Sequence, residues 1–275
     1  MSGSPGFPNN RGRRFTAGRI AIFLIIVAGF MAWQGSQKIP LGAASGTSFV
    51  GPEPASRPSG DVLRVATFNI DGKSGDDTAD TMRGFDLIGM EEVHGCCPLS
   101  KSNEAEILGG KLNMPALFAP VERQWWHDAF GDGALTTLGV EHWQRFPLSN
   151  EIADSNREVL DLRLEFDGKP LNVLITHLER HDDLENELAT VISLFHSMEE
   201  PAILMGDLNL RPDDPQIDAL RKTPGVIDPI GDAHDDSFDR IFARGMRSLD
   251  SGLIDKGASD HPLAWAELEL VPAEK

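Results

Sequence analysis

The chain has 275 residues, 40% of them hydrophobic and 25% charged, enough to bury a substantial core in one or two domains. Its net charge of −18 is unevenly spread: residues 1–60 hold six basic side chains against one acid, net +5, and the remaining residues hold 19 basic and 42 acidic, net −23. This excludes a broad basic nucleic-acid footprint on the main body, and the adjacent pair Cys96 and Cys97 excludes a long-loop disulfide and any structural-zinc spacing.

At the N-terminus, a basic segment (1–19) containing Arg11, Arg13, Arg14 and Arg19 precedes an uncharged run from Ile20 to Trp33. The run is shorter than the roughly 20 apolar residues of a full span, and its length also suits a signal-peptide core. With arginines in front of it, we read 20–34 as a signal anchor or transmembrane segment, with the N-terminus cytoplasmic and the following domain exported. Were the signal cleaved, near Gly42-Ala43-Ala44, the product would be secreted. Residues 35–60, rich in Gly, Ser and Pro, read as a flexible linker.

From Asp61 onward the pattern predicts a catalytic domain of strands separated by helices and loops. Strands are expected at 62–69, 86–91, 133–138, 159–166, 171–176, 202–206, 238–243 and 263–270. Leu160, Leu162, Leu164 and Phe166 alternate with Asp161, Arg163 and Glu165, the period of a strand with one wet face. Asp167-Gly168 then supplies hairpin-turn chemistry. The clearest helix, 183–198, carries an apolar stripe of Leu184, Leu188, Val191, Ile192 and Phe195 behind a candidate Asp182 cap, and a shorter helix covers Gln216 to Arg221.

Polar residues repeatedly close these apolar runs. Asn69 ends 62–68, Glu92 follows Leu87-Ile88-Gly89-Met90-Glu91, His177 ends 171–176, and Asp207 and Asn209 follow Ala202-Ile203-Leu204-Met205-Gly206. Asp239 lies in Phe238-Asp239-Arg240-Ile241-Phe242, and Asp260-His261 precedes the last strand. Asp and Asn after a strand are also ordinary turn residues, so no single segment decides the matter. Their recurrence points to one shared rim, which a metal-assisted phosphoester hydrolase needs.

The stretches RVATFNI, DLIGMEEV, LITHLE, ILMGDLNLRP, FDRIF and SDHPLAWAEL, in that order from Arg64 to Leu268, resemble the endonuclease/exonuclease/phosphatase superfamily. The resemblance implies an α/β (α+β) fold of the DNase I type, a four-layer sandwich of two packed β-sheets flanked by helices. It implies Mg²⁺, with Mn²⁺ as an alternative, at Asn69 and Glu92, with Asp260 as a candidate for the metal or for water orientation. Asp207 would activate the attacking water, Asn209 would hold the water or a phosphate oxygen, and His261 would stabilise the transition state with Asp239 orienting it. His177 would contact the phosphate from the other side.

Glu91 stands where relatives commonly have Gln. Arg157 reads as a phosphate contact or, more simply, as half of a surface ion pair, and Trp125, Trp126 and Trp143 as packing residues with a substrate or membrane edge as the alternative. The expected substrate is a phosphoester, in nucleic acid or in a lipid head group, with membrane association through the N-terminal segment and no obligate protein partner. The functions in play are a nuclease-like phosphodiesterase, a membrane-proximal phospholipid or sphingolipid phosphodiesterase, and a non-catalytic anchored binding module. The complete set of polar positions argues against the last.

Overall fold

The structure is a computed structural model of the chain, and it describes residues 11–35, 38–52, 62–95, 102–124, 127–148, 156–179, 184–231 and 237–271. Cys96, Cys97, Trp125, Trp126 and the Asp182 cap lie outside the described residues. The chain divides into two units, Met1–Gln37 and Lys38–Lys275.

Among the described residues the first unit holds one helix, α1 (Arg11–Gly35), whose apolar side chains from Ile20 to Trp33 are exposed. Among the described residues, no helix is long and apolar enough to cross a membrane. The expected transmembrane segment at 20–34 is therefore not supported. The physical reason lies in its length: the fourteen apolar residues Ile20–Trp33 reach about 21 Å as helix, against a hydrocarbon core of about 30 Å.

The second unit runs β1 (Lys38–Pro40), β2 (Ala44–Gly46), β3 (Val62–Asn69), α2 (Asp76–Thr81), β4 (Leu87–Val93), α3 (Glu104–Leu112), β5 (Ala116–Gln124) and β6 (His127–Thr136). It continues with β7 (Gly139–Leu148), β8 (Arg157–Phe166), β9 (Lys169–His177), α4 (Leu184–Ser197), β10 (Ala202–Asp207), α5 (Pro215–Arg221), β11 (Val226–Ile227), β12 (Asp239–Arg244), β13 (Met246–Ile254) and β14 (Leu263–Leu270). Two seven-stranded mixed sheets form, in the orders β1-β5-β6-β4-β3-β14-β13 and β11-β12-β10-β9-β8-β7-β2.

Strand alternation fixes the layers. Leu63 and Val65 of β3 face Leu160, Leu162, Val173, Ile175, Ile203 and Met205 of the other sheet in one inner core. The opposite faces bury Ala66 and Phe68 against α2 and α3, through Met82 and Leu108, and bury Leu174 and Leu204 against α4 and α5, through Val191 and Ile217. Helix, sheet, sheet, helix is the expected four-layer sandwich. The predicted hairpin after Phe166 forms, with Asp167 and Gly168 both at positive φ (51° and 71°).

One expectation needs correction. Residues 38–46 are not a tether, since β1 pairs with the free edge of β5 and β2 with the free edge of β7, one in each sheet. Unpaired strand edges offer rows of N–H and C=O groups, and the backbone of this segment satisfies them.

Candidate active site

The polar strand-end residues continue the inward-facing rows of the sandwich. Residues two apart on a strand share a face, so Asn69 follows Val65 and Thr67, Glu91 follows Leu87 and Gly89, and His177 follows Val173 and Ile175. Asp207 follows Ile203 and Met205, and Asp239 precedes Ile241. Where the inner core ends, these rows emerge at one rim. Register brings them side by side, with Asp207 opposite both His177 of the parallel neighbour and Asp239 of the antiparallel one.

Local backbone geometry refines the placement. A bulge between Met90 and Val93 puts Glu92 at φ 56°, so two consecutive acids reach the site: Glu91 along the inner row and Glu92 through the bulge. Gly206 sits at φ 146°, and a Cβ there would lie 1.9 Å from Thr176 O, so only glycine lets β10 approach β9 this closely.

Hydrogen bonds join the residues into one network. Asn69 Nδ2 donates to Glu92 Oε1 (3.1 Å) and to Asp207 Oδ2 (3.2 Å), while Asn69 Oδ1 accepts from Asp71 N–H (3.1 Å). Asp207 Oδ1 accepts from Asn209 N–H (2.9 Å), and Asp207 Oδ2 lies 3.5 Å from His177 Nε2 and 3.8 Å from His261 Nδ1. His261 Nδ1 donates to Asp239 Oδ2 at 2.8 Å. Ser259 Oγ accepts from His261 N–H and donates to Asn69 O (2.6 Å), pinning the Ser-Asp-His turn to the end of β3.

Turn and site are thus built from the same side chains. In Asn69 and in Asp207 one oxygen closes an Asx turn, and the remaining polar atom faces the cluster.

Asn69 meets the carboxylates through its amide nitrogen. In this arrangement it aligns Glu92 and Asp207 beside each other. Asn209 Nδ2 donates to Leu178 O (2.7 Å), which ties the loop after β10 to the end of β9. Asp260 is exposed, and its charge acts on His261.

Burial sets the electrostatics. Desolvation raises the Asp239 carboxyl to about 7, against the hydrogen bond from His261 and with the charge of Asp207 adding to the rise. Burial alone would lower His261, but the hydrogen bond and charge of Asp239, with Asp207 and Asp260, raise it to about 9. At neutral pH His261 is an imidazolium whose Nδ1–H is held by Asp239. Glu91 is fully buried, accepts from Thr67 Oγ1 (2.7 Å), and is raised well above its ordinary value by desolvation and then by Asp239 and Asp132.

The donor set fits a hard divalent cation. Glu92 and Asp207 are carboxylates joined through Asn69, Asp239 Oδ1 is buried without a hydrogen-bond partner among the described residues, and ligand atoms of Asp207, Asp239 and His261 lie within 4.8 Å of one another.

Sequence reasoning missed two acids behind this rim, Asp132 and Glu158, both buried. Extending the Leu160-Leu162-Leu164 alternation one step back would have found Glu158, whereas Asp132 lies between two glycines with no apolar run to flag it. Arg157, read as one side of a surface ion pair, is 8% exposed and pairs with Glu179 at 3.4 Å, with its guanidinium 5.9 Å from the Phe130 ring. Trp143 packs against the inner core and against Gly46 of β2, as the packing reading expected.

Inner-row acids, two histidines and a clamping amide at the open end of a two-sheet sandwich define a phosphoester-hydrolase type of site. Residues 66–261 match the model of the Endonuclease/Exonuclease/phosphatase family, and the chain belongs to that family, whose members are generally phosphoester hydrolases. Its fold is similar to those of the endonuclease/exonuclease/phosphatase proteins from Beutenbergia cavernae (19% identity, TM-score 0.61, covering 76% of this chain and 72% of that one) and from Bacteroides vulgatus (16%, 0.62, 76% and 99%). It is also similar to a humanized D. rerio TDP2 with 14 mutations (20%, 0.56, 76% and 100%). No curated protein matches the chain in sequence.

Proposed function

We propose that this protein is a divalent-metal-dependent phosphodiesterase with nuclease-like activity, using Mg²⁺ or Mn²⁺. The observation behind this reading is the single network in which Asn69 joins Glu92 to Asp207, beside His177 and the His261–Asp239 pair. A neighbouring fold, D. rerio TDP2 complexed with single strand DNA product (18% identity, TM-score 0.57), makes single-stranded DNA the first substrate to test.

In this reading Glu92 and Asp207, aligned by Asn69, hold the cation, which when bound stabilises charge on phosphoryl oxygens as a Lewis acid. Asp207 orients the attacking water and takes its proton, its other oxygen being fixed by Asn209 N–H. His261 presents Nε2–H to the phosphoryl oxygen as negative charge builds in the transition state, and Asp239 fixes the ring through Nδ1. His177, 3.5 Å from Asp207 on the neighbouring strand, contacts the phosphoryl group from the opposite side.

The lipid-headgroup alternative drew on a position beside a bilayer, and no helix among the described residues is long and apolar enough to provide one by spanning. For location we propose export of the catalytic unit, a reading supported by the arginine cluster ahead of the uncharged run; protease accessibility in intact cells tests it. The activity test uses the full chain with Mg²⁺, Mn²⁺ or chelator against single- and double-stranded DNA, RNA, sphingomyelin and bis-p-nitrophenyl phosphate. Metal-dependent cleavage of DNA and of the synthetic diester is expected. Cleavage of sphingomyelin alone would replace the nuclease reading with the lipid one, and silence on every substrate would contradict both.

A further inference from the structure

His177 is braced from behind by groups that the hydrolytic scheme does not use. Its backbone N–H donates to the Asp132 carboxylate. Asp132 N–H in turn donates to Glu158 Oε1 (2.9 Å), and Thr176 Oγ1, one residue before the histidine, donates to Glu158 O (2.7 Å). The Phe130 ring lies 6.5 Å from the imidazole, and the Arg157 guanidinium lies 5.9 Å from the same ring.

This platform is rigid. A Cβ on Gly131 would lie 2.5 Å from Ala119 O, and one on Gly133 would lie 3.0 Å from Leu117 O, so Asp132 is carried on backbone pressed tightly against β5. Asp132 and Glu158 are both buried, and one oxygen of each, Asp132 Oδ2 and Glu158 Oε2, has no hydrogen-bond partner among the described residues.

From this geometry we propose that Asp132 is a positioning residue for His177, holding the end of β9 so that the imidazole stays beside Asp207. It touches neither substrate nor metal and acts only through the histidine. Burial, against the opposing charge of Arg157, raises the Asp132 carboxyl to about 7, and burial together with Asp132 raises Glu158 well above its ordinary value against the pull of Arg145, 3.5 Å away. The functional part of the proposal rests on His177 being catalytic, as proposed above.

The test compares Asp132→Ala with Asp132→Asn in the full chain, the asparagine keeping an oxygen that can accept the His177 N–H. The alanine variant is expected to lose about 100-fold in kcat on bis-p-nitrophenyl phosphate with KM little changed, because a displaced catalytic group costs rate more than binding. The asparagine variant is expected to restore kcat to within about 3-fold of the parent, since one retained hydrogen bond is the only contact required.

Independently of turnover, the ring Cε1–Hε1 NMR correlation of His177, assigned by loss in His177→Gln, should move in Asp132→Ala and return in Asp132→Asn, with that of His261 unmoved. A His177 correlation that stays put in Asp132→Ala, a parental kcat in that variant, or an asparagine variant as impaired as the alanine would each overturn the proposal. The NMR arm reads correctly even where the parent hydrolyses no diester, so failure of the phosphodiesterase reading is distinguishable from failure of this one.

Discussion

Asp239 and His261 set the pH behaviour of the site. Asp239 must be ionised to hold the ring and His261 must be protonated to donate, and both conditions hold between about 7 and about 9. We predict a bell-shaped kcat/KM profile with its plateau in that window, the two limbs belonging to the pair as a unit; a flat profile from pH 6 to 10 would remove the pair from the mechanism. Stability runs differently. Both folded values lie above the unfolded ones (3.8 and 6.5), so the contribution of each group is complete at low pH and is lost as pH rises through about 7 and about 9. Tm should fall across the range where the acidic limb of activity climbs. His261→Ala should lower kcat by about 10²–10³, as removal of a transition-state donor does, while a circular-dichroism melt stays near the parent's. Gly206→Ala is the opposite kind of change: a methyl 1.9 Å from a backbone oxygen has no room, and we predict insoluble or unfolded protein, checked by soluble yield.

The elements that were legible in the sequence are those with a buried face on both sides or strict alternation. β3, β8, β9, β10, β12 and β14 appear within a few residues of where the pattern places them. The edges were not legible. β13 is largely exposed and bulged at Ser248/Asp250, β5 is interrupted by Pro120 and two register shifts, and β1 and β2 are three residues each, so none displays a period that burial enforces. The helices α2 and α3 are short, and α3 contains Gly109-Gly110, which weakens its propensity. At the rim, most site residues were legible because each ends an apolar row, and Asp132 was not because glycines flank it.

The misread strap has a measurable consequence. Arg145, buried on β7, donates to Pro120 O of one sheet and to Gly42 O between β1 and β2, so one guanidinium ties both sheets to residues 38–46. A fragment beginning at Lys38 should melt at least about 5 °C above one beginning at Asp61; equal Tm values would show the strap to be dispensable.

At the scale of the whole molecule, charge and fold pull in different directions. Residues 61–275, with net −23, repel polyanions, and Arg157 near the rim is engaged by Glu179. A basic nucleic-acid protein with many phosphate contacts loses about 10³–10⁵ in affinity between 50 and 200 mM salt. Here the expectation is reversed in sign: KM for single-stranded DNA should stay level or fall as salt rises, because screening weakens a repulsion. A steep loss of activity over the same salt range would indicate a cationic surface not evident in this architecture. The acidity also favours the cation, since Asp207 and Asp239 converge beside His261 and Asn69 ties Glu92 to Asp207.

The most direct measurement is hydrolysis of bis-p-nitrophenyl phosphate by the full chain and by Asp207→Asn, titrated with Mg²⁺ from chelator-treated protein. The account predicts no turnover without metal, saturable activation in the parent, and at least about a 10²-fold lower kcat in the variant, as expected when a group positioned for proton transfer is lost. Metal-independent turnover, or an asparagine variant that matches the parent, would contradict it.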